Sequence, residues 1–162
     1  MPVPPTDEFR NAMAVMPTAV TVIASIGESG PAGATANAVA SLSLQPPLML
    51  VCLDRGSRTL AAVRSSGRFA VNVLGEGDEA LARAFASKVP HEEKWAGIEW
   101  TQSDGCPRIA DALAWIACDL RDLLDGGDHV IVTGAVTDLV VNEDAAPLVF
   151  HHGEYRALGE RD

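Results

Sequence analysis

Apolar and polar positions change period several times along this chain. From Thr6 to Met16 the apolar residues Phe9, Ala12, Met13 and Met16 recur at helical spacing, Thr6 or Asp7 can cap the start, and Pro17 ends the segment. Thr18 to Ile26 is rich in β-branched residues and predicts a strand. Gly27 to Gly33 predicts a turn, built on Ser29-Gly30-Pro31. Ala34 to Leu44 is made of small or hydroxyl-bearing residues, with no large side chain before Leu42, and Gln45-Pro46-Pro47 breaks the chain ahead of an apolar strand from Leu48 to Leu53. Ser57 to Arg64 predicts a helix opened by a serine cap, Arg68 to Leu74 a strand, and Asp78 to Ala86 a helix with Leu81, Ala84 and Phe85 on one face. Lys88 to Pro107 reads as irregular, with a short strand at Ile98 to Thr101.

The last third alternates. Ala114, Ile116, Cys118 and Leu120 share one face of a strand, with Trp115, Asp119 and Arg121 on the other. Asp125-Gly126-Gly127-Asp128 then predicts a hairpin turn into the Val- and Ile-rich stretch from His129 to Val141. A final pair, Leu148 to Phe150 and Tyr155 to Leu158, is joined through His151-His152-Gly153. The sum is about seven mostly antiparallel strands with two or three short helices, which predicts a mainly β fold, a barrel or sandwich with a few short peripheral α-helices. No GxGxxG follows the first strand, so a dinucleotide would not bind here in the Rossmann manner.

A chain of 162 residues fits one domain, expected to span residues 1–162 with 1–8 and 159–162 at its edge. The net charge of -10 repels phosphate backbones and anionic lipid heads, which argues against nucleic-acid or membrane binding. An anionic ligand would therefore need local cations and backbone N–H groups. Cys52, Cys106 and Cys118 form neither a CxxC pair nor an even set, and each reads as a small apolar residue in or near a strand. The start, Met1-Pro2-Val3-Pro4-Pro5, lacks the basic and apolar regions of a signal peptide, so the cytoplasm is the expected compartment.

No HExxH or GxSxG occurs, and the adjacent His151 and His152 would face opposite sides of a strand, so no metal site is expected. Three segments remain. Gly33 to Pro47 would let a flat ligand lie on the backbone, with Thr35, Asn37, Ser41 and Ser43 at its edge; a close crossover of packed strands needs the same small residues. Asp54-Arg55-Gly56-Ser57-Arg58-Thr59 suits a phosphate at a helix start, and equally an ordinary serine cap with two solvated arginines. Gly126-Gly127-Asp128-His129 leaves room for a planar ligand beside an imidazole, and equally describes an exposed turn.

In their order and spacing these segments resemble the flavin reductase-like family, the FMN-binding split-barrel proteins that serve as reductase components of two-component flavin monooxygenases. The similarity runs from Phe9 to about Leu158 and is carried by Phe9-Arg10-Asn11-Ala12-Met13, Pro17-Thr18-Ala19-Val20-Thr21-Val22, the small-residue segment through Pro46-Pro47, and Ser57-Arg58-Thr59. It continues through Ser66 to Leu74, Phe85-Ala86-Ser87-Lys88, Gly127-Asp128-His129 and Pro147 to Tyr155. The resemblance implies an antiparallel split β-barrel working as a homodimer, with FMN or FAD near the subunit seam and NADH or NADPH as reductant. It implies an isoalloxazine ring along Thr35, Ala36, Asn37 and the run Ser41, Leu42, Ser43, and a phosphate at Ser57, Arg58 and Thr59 with help from Ser87 or Lys88. His129 would position the nicotinamide, with Asn72, Gly127, Asp128 and Tyr155 as further cofactor-binding positions. The implied activity is hydride transfer from nicotinamide C4 to flavin N5, with reduced flavin passed to a separate oxygenase. The alternative is a non-catalytic flavin carrier of the same fold, against which the intact Gly127-Asp128-His129 turn argues.

Overall fold

The structure, a computed structural model, describes residues 1–159; the remainder of the expected C-terminal edge, residues 160–162, lies outside them. The described chain runs α1 (Thr6–Ala14), β1 (Thr18–Ala19), β2 (Thr21–Gly27), β3 (Gly30–Ala36), β4 (Val39–Leu44), β5 (Pro47–Asp54), α2 (Arg58–Ser66), β6 (Arg68–Val73), α3 (Glu79–Ala86) and α4 (His91–Trp95). It continues with β7 (Trp100–Ser103), β8 (Cys106–Ile109), β9 (Ala114–Gly126), β10 (His129–Val141), β11 (Leu148–His151) and β12 (Glu154–Ala157).

Seven strands form one sheet in the order β3-β2-β6-β9-β10-β5-β4. Every neighbour in it is antiparallel. Its two edges, β3 and β4, are consecutive in sequence and joined only by Asn37-Ala38. The sheet must therefore bend round until its ends nearly meet. The Cys52 N–H donates to the Ala38 carbonyl at 3.0 Å, carrying the β4–β5 ladder up to the link with β3, and the incomplete closure beside β3 makes the barrel a split one. Bulges in the β9–β10 pair, at Thr133/Gly134 and Val136/Asp138, supply bending. Two small sheets, β1-β11-β12 and β7-β8, lie apart from it.

The interior is filled by Ile23, Val51, Leu53, Phe69, Val71, Cys118, Val130 and Val132, with Leu60 and Val63 of α2 packed among them. A second layer, including Val20, Val22, Ala24, Leu74, Ala82, Phe85 and Trp95, packs α3 and α4 on the other face. Strand β2 is thus buried on both faces, which is why Thr21 to Ser25 reads as a run rather than an alternation. The same effect holds at β9: Ile116, Cys118 and Leu120 face the barrel interior, and Trp115, on the opposite face as expected, is also buried, with Ala70, Cys106 and Ala117, its indole N–H donating to the Pro107 carbonyl at 3.1 Å. The β7–β8 hairpin supplies that cover, and it lies with α4 in a stretch expected to be mostly irregular.

Three further expectations change. The turn expected over Gly27 to Gly33 is tighter, because β3 already begins at Gly30 and pairs with Gly27. The small-residue segment is two strands with a break at Asn37-Ala38. Helix α1 has Pro5 at its N-cap with no side-chain cap, and it buries no residue, leaving Phe9, Met13 and Met16 exposed. The three cysteines are free, and burial pushes Cys106 to about 11 and Cys118 to about 12, so both stay protonated packing residues.

Candidate functional site

Helix α2 begins beside the gap in the barrel. Ser57 caps it, accepting from the N–H groups of Thr59 at 3.1 Å and Leu60 at 3.2 Å, so the plain capping role holds. The same turn forms the wall of a cleft of about 500 Å³. Gly33, Ala34 and Thr35 of β3 line it with Asp54, Gly56, Ser57, Arg58 and Thr59, and the far side is Phe85 to His91 and Lys94. A smaller recess of about 180 Å³, lined by Ala34 to Ala38, Cys52 to Asp54, Ser57 and His129, shares Ala34, Thr35, Asp54 and Ser57 with the cleft. The two adjoin, and β3 is their common wall.

Most of the expected residues meet here. Thr35, Ala36, Asn37, Ser57, Arg58, Thr59, Ser87, Lys88 and His129 line the cleft or the recess. The Thr35 hydroxyl is already committed, donating to the Ala82 carbonyl at 2.6 Å, and Ser87 donates to Ala84 at 2.7 Å. Tyr155 lines a neighbouring pocket of about 170 Å³ that also touches Thr35 and Asn37. Gly127 and Asp128 stand outside the recess and act through His129: the Asp128 carboxylate and His129 Nδ1 are 2.7 Å apart. That hydrogen bond pulls Asp128 below the usual carboxylate range and leaves Nε2 as the free ring nitrogen.

Four more of the expected residues do not reach this space within one chain. Asn72 is fully buried, donating to the carbonyls of Val22 and Pro107 and accepting from the Ile109 N–H at 2.8 Å, so its polar atoms are spent holding β8. Ser41, Leu42 and Ser43 lie along β4 at the sheet edge, away from the cleft.

Arg55, from the Asp54-to-Thr59 segment, and His91 and Lys94, which the sequence did not single out, also stand at the turn and the cleft. Arg55 bonds the Asp125 carboxylate and the Gly127 carbonyl, and its N–H donates to the Asp128 carbonyl at 3.1 Å, so it clamps the hairpin turn to the end of β5. His91 accepts from the Gly33 N–H at 3.4 Å, and burial followed by the charges of Lys94 and Arg58 lowers its pKa, which holds it neutral. Lys94 is buried beside it and donates to the Phe85 carbonyl at 3.1 Å. The available signal was the spacing of His91, Lys94 and Trp95 on one side of a short helix whose acids, Glu92 and Glu93, face out.

A family model described as "Flavin reductase like domain" matches residues 13–159. The chain belongs to the flavin reductase-like family. A Rhizobium meliloti protein described as "Probable flavin reductase" is 43% identical over 131 residues, 80% of this chain; the chain spans under half of that relative, 42%. A Rhodococcus jostii protein described as "Flavin-dependent monooxygenase, reductase subunit HsaB" is 40% identical over 151 residues, 93% of this chain and 76% of the relative. Among solved structures, the Streptomyces globisporus NADH:FAD oxidoreductase SgcE6 superposes with a TM-score of 0.90 at 34% identity, covering 99% of this chain and 98% of its own.

The residues present fit a flavin nucleotide on two counts. Thr59 Oγ1 is buried and has no hydrogen-bond partner among the described residues, so the helix start holds a hydroxyl with an unused donor. Arg58, Lys88 and Lys94 bring cations into the same cleft of an otherwise acidic flavin reductase-like domain, where Asp54 is the one carboxylate and already accepts from the Gly56 N–H at 2.7 Å.

Proposed function

We propose that this chain is an NAD(P)H-dependent flavin reductase that supplies reduced flavin to a separate oxygenase component. The carrying observation is that the cation-lined cleft at α2 and the small-residue recess beside His129 adjoin, sharing Ala34, Thr35, Asp54 and Ser57. One end suits a phosphate, the middle suits a flat ring, and the far end approaches a turn held in place by Arg55. FMN or FAD fills the flavin role on this reading, NADH or NADPH reduces it, and the cytoplasm is the compartment. Among the described residues no helix is long and apolar enough to cross a membrane.

A flavin held there would supply the hydride acceptor and a nicotinamide the donor, so the cofactors would carry that chemistry. The protein's part is orientation. Ala34, Ala36 and Ala38 put no bulk between the ring and the β3 backbone, so two flat rings can stack at reacting distance. Asp128 fixes the His129 ring through Nδ1 and leaves Nε2 for the dinucleotide. Replacing His129 with Ala removes one positioning hydrogen bond, on the order of 1 kcal/mol or about five-fold in the rate of flavin reduction. Flavin affinity should stay at the wild-type value. Stopped-flow reduction by NADH measures this, and a wild-type rate at every NADH concentration rules out the role.

The phosphate assignment is tested with two ligands that differ only in that group. Arg58→Ala should weaken FMN about tenfold, the worth of a charge-assisted hydrogen bond, and leave riboflavin within about twofold. Equal losses for both would refute it.

We also propose that the working form is a homodimer. Phe9, Met13, Val15 and Met16 on and after α1, Leu123 and Leu124 on β9, and Leu139 and Val141 on β10 are all exposed in one chain. Ser41, Leu42 and Ser43 lie on the exposed edge strand β4 and would reach flavin only at a seam between subunits.

A further inference from the structure

The loop between β9 and β10 is held by one residue from outside the hairpin. Gly126 pairs with His129, so the loop itself is only Gly127 and Asp128. Arg55, just past the end of β5, takes both of its carbonyls: Gly127 accepts from the guanidinium, and Asp128 accepts from the Arg55 backbone N–H at 3.1 Å. The same guanidinium bonds the Asp125 carboxylate at the end of β9. Asp125 to Asp128 are all exposed, and among the described residues no other side chain from outside the hairpin bonds them. Gly127, at φ 78°, has no side chain to restrain the loop from within. What the loop carries is the Asp128 carboxylate, 2.7 Å from His129 Nδ1. The His129 backbone is placed by the ladder, opposite Asp54 of β5, but its ring is placed by Asp128.

We propose that Arg55 is a positioning residue for flavin reduction: it fixes the Gly127-Asp128 loop so that Asp128 holds the His129 ring and leaves Nε2 free for the dinucleotide. This rests on the reading of His129 given above. Arg55 lines neither the cleft nor the recess, so its effect on the reaction passes through the loop. Its pair with Asp125 is worth little by itself, because the two side chains are 46% and 83% exposed. The geometry comes from the two backbone carbonyls tied to one residue. Arg55 also stands between Asp54, whose carboxylate accepts from the Gly56 N–H at 2.7 Å, and Ser57, which caps α2. The turn that opens α2 and the loop that aims His129 are therefore braced against each other.

Arg55→Ala removes the guanidinium contacts and keeps the backbone N–H. The second-order rate constant for reduction of bound flavin by NADH should fall about two- to fivefold, no further than in His129→Ala, while flavin affinity changes less than about twofold. Arg55→Lys should recover part of the rate, because an ammonium can still donate to the Gly127 carbonyl but lacks the fork that also reaches Asp125. In a His129→Ala background Arg55→Ala should cost nothing more, since the ring it positions is gone. A cation that merely attracts an anionic dinucleotide would slow both backgrounds equally. A merely structural arginine would lower the ligand-free melting temperature and flavin affinity together. Either result, or a wild-type rate in Arg55→Ala, overturns the proposal. The anchor itself is read without ligand: backbone amide order parameters of Gly127 and Asp128 should fall from about 0.85 to below about 0.6 in Arg55→Ala. Unchanged order parameters would remove the anchor even if His129 proves essential, and a loosened loop in a protein that binds no flavin would fault the flavin reading and leave the anchor standing.

Discussion

Truncating Phe69 to alanine should lower stability by about 3–5 kcal/mol, the cost of emptying a fully buried aromatic site. Phe69 lies on β6 opposite Cys118 of β9, is 0% exposed, and belongs to the interior cluster that α2 closes. Its ring occupies the space that Gly134 of β10 leaves open. A Cβ built at Gly134 would sit 2.6 Å from Phe69 Cε1 and Cζ and 2.7 Å from the Cys118 Cβ, next to a bulge that bends the strand. The ring and the glycine are two halves of one packing decision. Gly134→Ala should therefore also destabilise, by about 1–3 kcal/mol of overpacking. In the Phe69→Leu background the cost of Gly134→Ala should shrink, because the smaller side chain frees the volume the new methyl needs. At about 2–4 °C per kcal/mol for a chain of this size, Phe69→Ala corresponds to a fall of about 6–20 °C in Tm. Chemical denaturation of the four proteins measures the cycle. Strict additivity, or a Phe69→Ala cost under about 1 kcal/mol, would show that the barrel interior is not packed this way.

Phe9→Glu combined with Met13→Glu should convert a dimer into monomers at micromolar concentration. Helix α1 buries none of its own residues, and Phe9 is 59% exposed and Met13 45% exposed. A nine-residue helix is marginal in water unless an apolar face is covered, and one chain offers α1 no cover. A two-fold partner is the commonest way to supply it. Carboxylates placed in that seam would be desolvated without partners, and disruption of apolar anchors of this kind costs several kcal/mol, hence a dimer weakened by more than about a hundredfold. Sedimentation equilibrium of wild type and variant reads the result. A wild-type monomer that reduces flavin at full rate defeats the dimer outright; a variant that stays dimeric moves the seam away from α1, towards the exposed leucines of β9 and β10. Loss of flavin affinity on dissociation would place Ser41, Leu42 and Ser43 across the seam, where a single chain does not bring them to the cleft.

Local chemistry was enough for much of this architecture. The serine cap of α2, the hairpin turn at Gly127-Asp128, the β-branched strands and the absence of a Rossmann glycine pattern follow from short-range preferences of the backbone and side chains, and they hold without reference to distant residues. The order of the small-residue segment, the Ser57-Arg58-Thr59 turn and the Gly127-Asp128-His129 turn was enough to place a flavin reductase-like family on the page. Burial was the part the sequence could not settle. Whether a strand has one covered face or two depends on which distant hairpin lies over it, so the alternation separated Trp115 from Ile116 and Cys118 without showing that both faces are buried, and the helical spacing gave α1 an apolar face without showing that the described chain buries none of it. Asn72 sits in a stretch shared with the family, but only the approach of β8 shows that its amide is consumed by three backbone groups. Lys94 looks like an ordinary surface charge in the sequence, and Arg55 reads equally as part of a phosphate-binding turn or as a solvated arginine. Lys94 acquires a role when α4 folds its inner side onto β3, and Arg55 when the barrel brings the end of β5 beside the β9–β10 turn, because charge and hydrogen-bonding capacity have meaning only against the groups that tertiary contact sets around them.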